Sequence, residues 1–138
     1  MKKIIMMLLL LAVIGSISAA AETWEQYIRR VETMTRNFND GINTGHPNTW
    51  AIDKWGALMA TVFWLEGAYE NIYRNAPNLS QQQREIYRRI WNRYRTQSDN
   101  MTRLLRLTHT NANTRQRIVR RWEYWERHLN NRGTIRMN

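Results

Sequence analysis

The sequence predicts an all-α protein, an antiparallel up-down four-helix bundle that follows a cleaved signal peptide. Three observations predict it. Apolar residues recur at helical spacing in four successive segments of similar length. Short polar or Gly/Pro turns separate those segments, as in an antiparallel bundle. No stretch alternates at the period of two that a half-buried strand needs.

Met1–Ala21 reads as a secretory signal peptide. Lys2 and Lys3 form its charged start, Ile4–Ile14 its apolar stretch, and Ala19-Ala20-Ala21 a small-residue cleavage site before Glu22. The short basic start has a bacterial look, so the expected location is periplasmic or secreted. Residues 22–138 then form one domain with room for a single core. Cysteine is absent, which excludes disulfides and a cysteine-linked lipid anchor.

The first helix is expected over Trp24–Ile42. Thr23 and Gln26 fit a capping box, in which the hydroxyl and the amide each satisfy an orphan end N–H. Trp24, Tyr27, Ile28, Val31, Phe38 and Ile42 make one stripe, with Arg29, Arg36 and Asp40 opposite. Gly45-His46-Pro47 ends it.

The central element is WAIDKWGALMATVFWLEGAYENIY, Trp50–Tyr73. Its apolar stripe is so wide that neighbours must cover it on more than one side. Its uncharged core, Trp55–Leu65, is shorter than the roughly 20 apolar residues a bilayer span needs. Asn48 or Thr49 is the expected N-cap, and Ala76-Pro77 the end. Gly56 and Gly67 lie inside this helix, each at about 1 kcal/mol against alanine. A close backbone approach at those positions is the expectation.

Ser80 and Gln83 make a second capping box, with Leu79 as a hydrophobic staple, at the start of a third helix. Leu79-Ser80-Gln81-Gln82-Gln83 also resembles the LTxxQ motif of periplasmic stress chaperones, which are helical and basic; the capping box explains the same letters. The stripe Ile86, Ile90, Tyr94, Met101, Leu104 and Leu105 carries the helix to about His109, with Ser98-Asp99-Asn100 as the place where it would break. Asn111–Thr114 reads as a polar turn. The fourth helix is expected from about Arg115 to Asn131, with Ile118, Trp122, Trp125 and Leu129 inward, Gly133 as C-cap and a loose tail beyond.

The charge is lopsided. From Glu22 to Leu79 five basic residues stand against seven acidic ones; from Ser80 to Asn138 fourteen arginines stand against four. Lys54 is the sole lysine after the signal peptide. Arginine favours bidentate contact with phosphate or carboxylate and stacking on aromatic rings. Arg117, Arg120, Arg121, Tyr124 and Arg127 share a face of the fourth helix, and Arg84, Arg88 and Arg95 line a strip beside Trp91 on the third. This pattern suits an anionic envelope polymer, lipid headgroups or an acidic protein; nucleic acid is the less natural partner outside the cytoplasm. The bland alternative is a solvated face, partly neutralised by Glu85, Glu123 and Glu126. Trp64 faces away from the central stripe and marks either a wide bundle or an exposed partner site.

Catalytic signals are sparse. His46, His109 and His128 lack the spacing of a helical zinc site, and Met59 and Met101 read as core filling, so no cofactor or metal is expected. Glu66 falls within the apolar stripe of the central helix, where a carboxylate must be paired or protonated. It is a general acid/base with Glu70 one turn on, a member of a buried or half-buried ion pair with an arginine, or a residue at the rim of the stripe. The sequence therefore points to a non-enzymatic interaction protein. An envelope hydrolase using Glu66 and Glu70, and a periplasmic holdase-like chaperone with an exposed apolar concavity, are the alternatives.

Overall fold

The computed structural model describes residues 21–137 of the chain, so the expected signal peptide, all but Ala21, lies outside the described residues. Among the described residues there are four helices: α1 (Trp24–Ile42), α2 (Ile52–Asn75), α3 (Gln81–Thr108) and α4 (Ala112–Asn130). A short 3-10 turn, Pro47–Thr49, precedes α2, and no strand occurs among the described residues.

Helix α2 is the hub. It packs against α1, α3 and α4. Every residue from Trp55 to Val62 is buried, followed by Leu65, Ala68, Tyr69 and Ile72. A helix apolar on all sides can be stable in water only with such cover. Contacts descend α3 as they ascend α2: Trp55 meets His109, Glu66 meets Ser98, Tyr69 meets Tyr94 and Tyr73 meets Trp91. On the α4 side Phe63 stacks on Trp122 at 4.6 Å. Gly56 lets α4 close in, because a Cβ there would sit 2.5 Å from Arg121 Cβ and 2.8 Å from the Arg121 carbonyl carbon. Gly67 is different, with nothing within 4 Å of a virtual Cβ.

Both capping boxes form, with Thr23 and Gln26 bonding each other's backbone N–H, and Ser80 and Gln83 likewise. Helix α2 departs from expectation at its start. Its N-cap is Ala51, without a side-chain cap, and Thr49 Oγ1 instead donates to the His46 carbonyl at 2.7 Å. Pro47 opens the 3-10 turn and Gly45 takes a positive φ of 73°, so the chain turns once more before entering α2. The other end is closed from outside: the Arg84 guanidinium donates to the carbonyls of Tyr73 and Ala76, two of the acceptors a helix end leaves open.

Helix α3 does not break at Ser98-Asp99-Asn100. Ser98 Oγ donates back to the Tyr94 carbonyl at 2.8 Å, so its polar group is satisfied within the helix. Helix α4 starts earlier than expected, since Asn111 accepts from the N–H groups of Asn113 and Thr114 and turns the polar stretch into a first helical turn. Its far end is a Schellman motif, with Gly133 N–H bonded to the His128 carbonyl and Arg132 N–H to the Leu129 carbonyl. The left-handed residue is Arg132, φ 66°, rather than Gly133.

The segment after Gly133 is not a loose tail. Ile135 and Met137 are buried, Asn37 Nδ2 donates to the Ile135 carbonyl at 2.7 Å, and Met137 lies over Gly41. It straps onto α1. Gly41 leaves the room, because a Cβ there would sit 2.7 Å from Met137 Cβ.

Candidate functional site

The arginines that the sequence groups together have different fates. Three are spent within the fold. Arg84 closes α2, as above. Arg88 pairs with Glu85 three residues earlier, and that guanidinium holds the Glu85 carboxyl below its usual range. Arg121 turns toward α2: its Nε donates to Asp53 Oδ1 at 2.8 Å, and its guanidinium covers the Tyr124 ring at 4.5 Å. Trp125 Nε1 donates to the same Asp53 oxygen at 3.0 Å. Asp53 thus ties the first turn of α2 to the flank of α4.

The rest face water. Arg117, Arg120 and Arg127 are exposed and carry no ion pair among the described residues. Tyr124, 46% exposed, stands among them. Neighbours three and four apart share a helix face, so these four residues form one outward stripe. Glu123 and Glu126 form no ion pair with it. On α3, Arg95 is exposed and lies 4.9 Å from the centre of the Trp91 ring, while Arg74 of α2 lies 5.1 Å from it. Tyr73 stacks against Trp91 as well, at 5.8 Å. The ring is therefore a platform that holds two guanidinium groups at the surface.

Trp64 is packed rather than bare. Tyr27 meets it edge-on at 6.4 Å, and Arg30 covers it at 4.9 Å while pairing with Glu22 and donating to the Leu129 carbonyl. The two candidate carboxylates do not work as a couple. Half-buried Glu66 shares the single Ser98 hydroxyl proton with the Tyr94 carbonyl, its Oε2 lying 3.1 Å from Ser98 Oγ, and Glu70 pairs with Arg74 at 2.8 Å. The partner of Glu66 is thus a hydroxyl, neither an arginine nor Glu70. His128 packs edge-on to Trp125 at 5.4 Å. Among the described residues no three of His, Cys, Asp and Glu gather to hold a metal ion, and no helix is long and apolar enough to cross a membrane.

A tyrosine cluster between α1 and α3 escapes sequence reasoning. Tyr69 faces Tyr87 at 6.3 Å and stacks on Tyr94 at 5.5 Å, and Tyr69 and Tyr94 line a cavity of about 160 Å³ with Arg93 and Gln97. Tyr69 Oη lies 2.6 Å from Thr35 Oγ1. Burial pushes the Tyr69 hydroxyl up to about 12, and raises Tyr94 and Tyr87 as well. A raised folded-state value means that the stability Tyr69 contributes is intact below pH 10 and is lost as pH climbs through about 12. Tyr69→Phe is expected to be less stable than wild type at pH 8, having lost the Thr35 bond. It should then lose about 2 kcal/mol less between pH 10 and pH 12, at 1.36 kcal/mol per unit. Urea midpoints across that range check it; parallel curves would place the alkaline transition elsewhere.

Compared with known proteins, the chain matches no family, no curated protein and no solved structure at a significant level.

Proposed function

We propose that this chain is an exported, non-enzymatic interaction protein whose exposed arginine–aromatic surface on α3 and α4 binds an anionic envelope component or an acidic partner protein. The observation that carries the reading is the outward stripe of Arg117, Arg120, Tyr124 and Arg127, whose guanidinium groups form no ion pair among the described residues. Arg95, mounted on Trp91, extends the same chemistry to α3. A guanidinium left unpaired at a surface is free to take a bidentate phosphate, sulfate or carboxylate from outside. Export belongs to the proposal: cleavage after Ala21 would leave a chain that begins at Glu22, which the mass of the secreted protein reports. So does the up-down course of the helices, which the short connections 76–80 and 109–111 favour.

Retention on a sulfated polysaccharide matrix tests the reading. The mature chain is expected to bind and to elute with salt, because charge contacts at a surface are screened over about 8–10 Å at ordinary ionic strength. Arg117→Gln, Arg120→Gln and Arg127→Gln together should move elution to lower salt. Arg121 is left alone in that variant, since removing it would strand Asp53 and loosen α4. Glu66→Gln separates the hydrolase alternative: it should leave retention unchanged, and polymer cleavage abolished by that change would overturn the non-enzymatic reading.

A further inference from the structure

A second place in the molecule is built to receive something. The chain between α1 and α2, the first turn of α2, Trp125 of α4 and the strap after Gly133 enclose a cleft of about 490 Å³. Small-molecule sites fall at about 300–1,000 Å³ and combine apolar walls with a few fixed polar groups. Two of the walls are indoles, and both are held. Trp50 Nε1 donates to the Thr44 carbonyl at 2.9 Å, with its ring against Trp55 at 5.0 Å. Trp125 Nε1 is bonded to Asp53, which Arg121 fixes in turn. Ile135 and Met137 supply apolar wall from the strap, itself bonded to Asn37.

The charge inside this cleft has one sign left over. Among the described residues Asp53 is the one carboxylate of its lining, and Arg121 already pairs with it. Lys54 and Arg136 also line the cleft. Lys54 Nζ spends one of its three donors on the Thr44 carbonyl, at 2.7 Å, and lies 5.2 Å from the Trp50 ring. Arg136 is exposed and has no ion pair among the described residues. We propose that this cleft is a binding site for a small organic anion with a planar apolar body: the body between the Trp50 and Trp125 indoles, the anionic group on Lys54 and Arg136. A cationic ligand would meet two like charges there, and a neutral hydrocarbon would leave both cations without a counter-ion. Burial pulls the Lys54 ammonium below its ordinary range, a penalty that an incoming anion relieves. The site does not depend on the outward stripe of α4.

The test uses the chain from Glu22 to Asn138 and three probes with one ring system: 2-naphthalenesulfonate, the naphthylmethylammonium cation and neutral naphthalenemethanol. Calorimetry gives affinity and stoichiometry, and the indole N–H resonances report place. The sulfonate is expected to bind one to one and to move the Trp50 and Trp125 indole resonances while those of Trp24, Trp64 and Trp91 stay put. The ammonium should bind at least about tenfold more weakly, as loss of one charge contact implies. Arg136→Gln, at an exposed side chain, should weaken the sulfonate several-fold without disturbing the fold, and Lys54→Met with Arg136→Gln should abolish it. The Arg117/Arg120/Arg127→Gln variant should bind the sulfonate as wild type does, which keeps this site separate from the polymer surface. Equal affinity for the three probes would overturn the proposal, as would full affinity in Arg136→Gln, shifts spread over all the indoles, or no binding at millimolar probe.

Discussion

Replacing Gly56 by alanine is expected to destabilise the protein by about 1–3 kcal/mol or more, the range for forcing an extra methyl into a packed interior. The same change at Gly67 is expected to stabilise it by up to about 1 kcal/mol, the difference in helix propensity. Both glycines sit inside α2, so propensity alone would make both changes favourable. Contact decides the sign. At Gly56 the new methyl would meet Arg121 Cβ at 2.5 Å, the Arg121 carbonyl carbon at 2.8 Å and Trp122 N at 2.9 Å. Backbone atoms cannot rotate out of the way, so α4 must back off. Backing off disturbs the Phe63–Trp122 stack and the Asp53–Arg121 pair at once. At Gly67 nothing lies within 4 Å. Urea midpoints of the two variants give the answer, and shifts of one sign would mean that α2 and α4 do not approach as closely as described.

Ending the chain after Gly133 is expected to remove about 3–6 kcal/mol, at about 1.5–3 kcal/mol for each buried Ile or Met side chain. That is a large part of the 5–15 kcal/mol typical of a whole domain. Ile135 and Met137 are 3% and 5% exposed, and Met34, Asn37 and Gly41 of α1 lose their cover when the strap goes. Ile135→Ala alone should lose about 2–5 kcal/mol. Thermal melts of the truncated chain and of Ile135→Ala check both figures. A truncated chain as stable as wild type would restore the loose tail that sequence alone suggests.

The strap shows where sequence reading stops. Ile135 and Met137 are two apolar residues among polar ones, too few to show a period, and their receiving site was made by Gly41 far upstream. Helix α1 and the start of α3 were legible to the residue, because each carries a capping box whose two partners lie three apart in the chain. The N-cap of α2 was not, since the 3-10 turn uses the Thr49 hydroxyl first. Helical phase also separates inside from outside within one helix. It does not say what stands opposite a flank. Arg121 and Arg117 look alike in the sequence, yet Asp53 awaits one, 68 residues away, and nothing comparable awaits the other. Arg84 likewise reads as surface charge until the end of α2 is seen beside it.

The salt dependence of vesicle binding tests the central claim most directly. The mature chain and the Arg117/Arg120/Arg127→Gln variant would be titrated with anionic and with neutral lipid vesicles over a series of ionic strengths. Expected is binding to anionic vesicles alone, weakening steadily as salt rises, with both the affinity and its salt sensitivity reduced in the variant. Affinity that is equal in the two proteins, or absent from both at low salt, would contradict it and leave the exposed arginines of α4 as solvated charge.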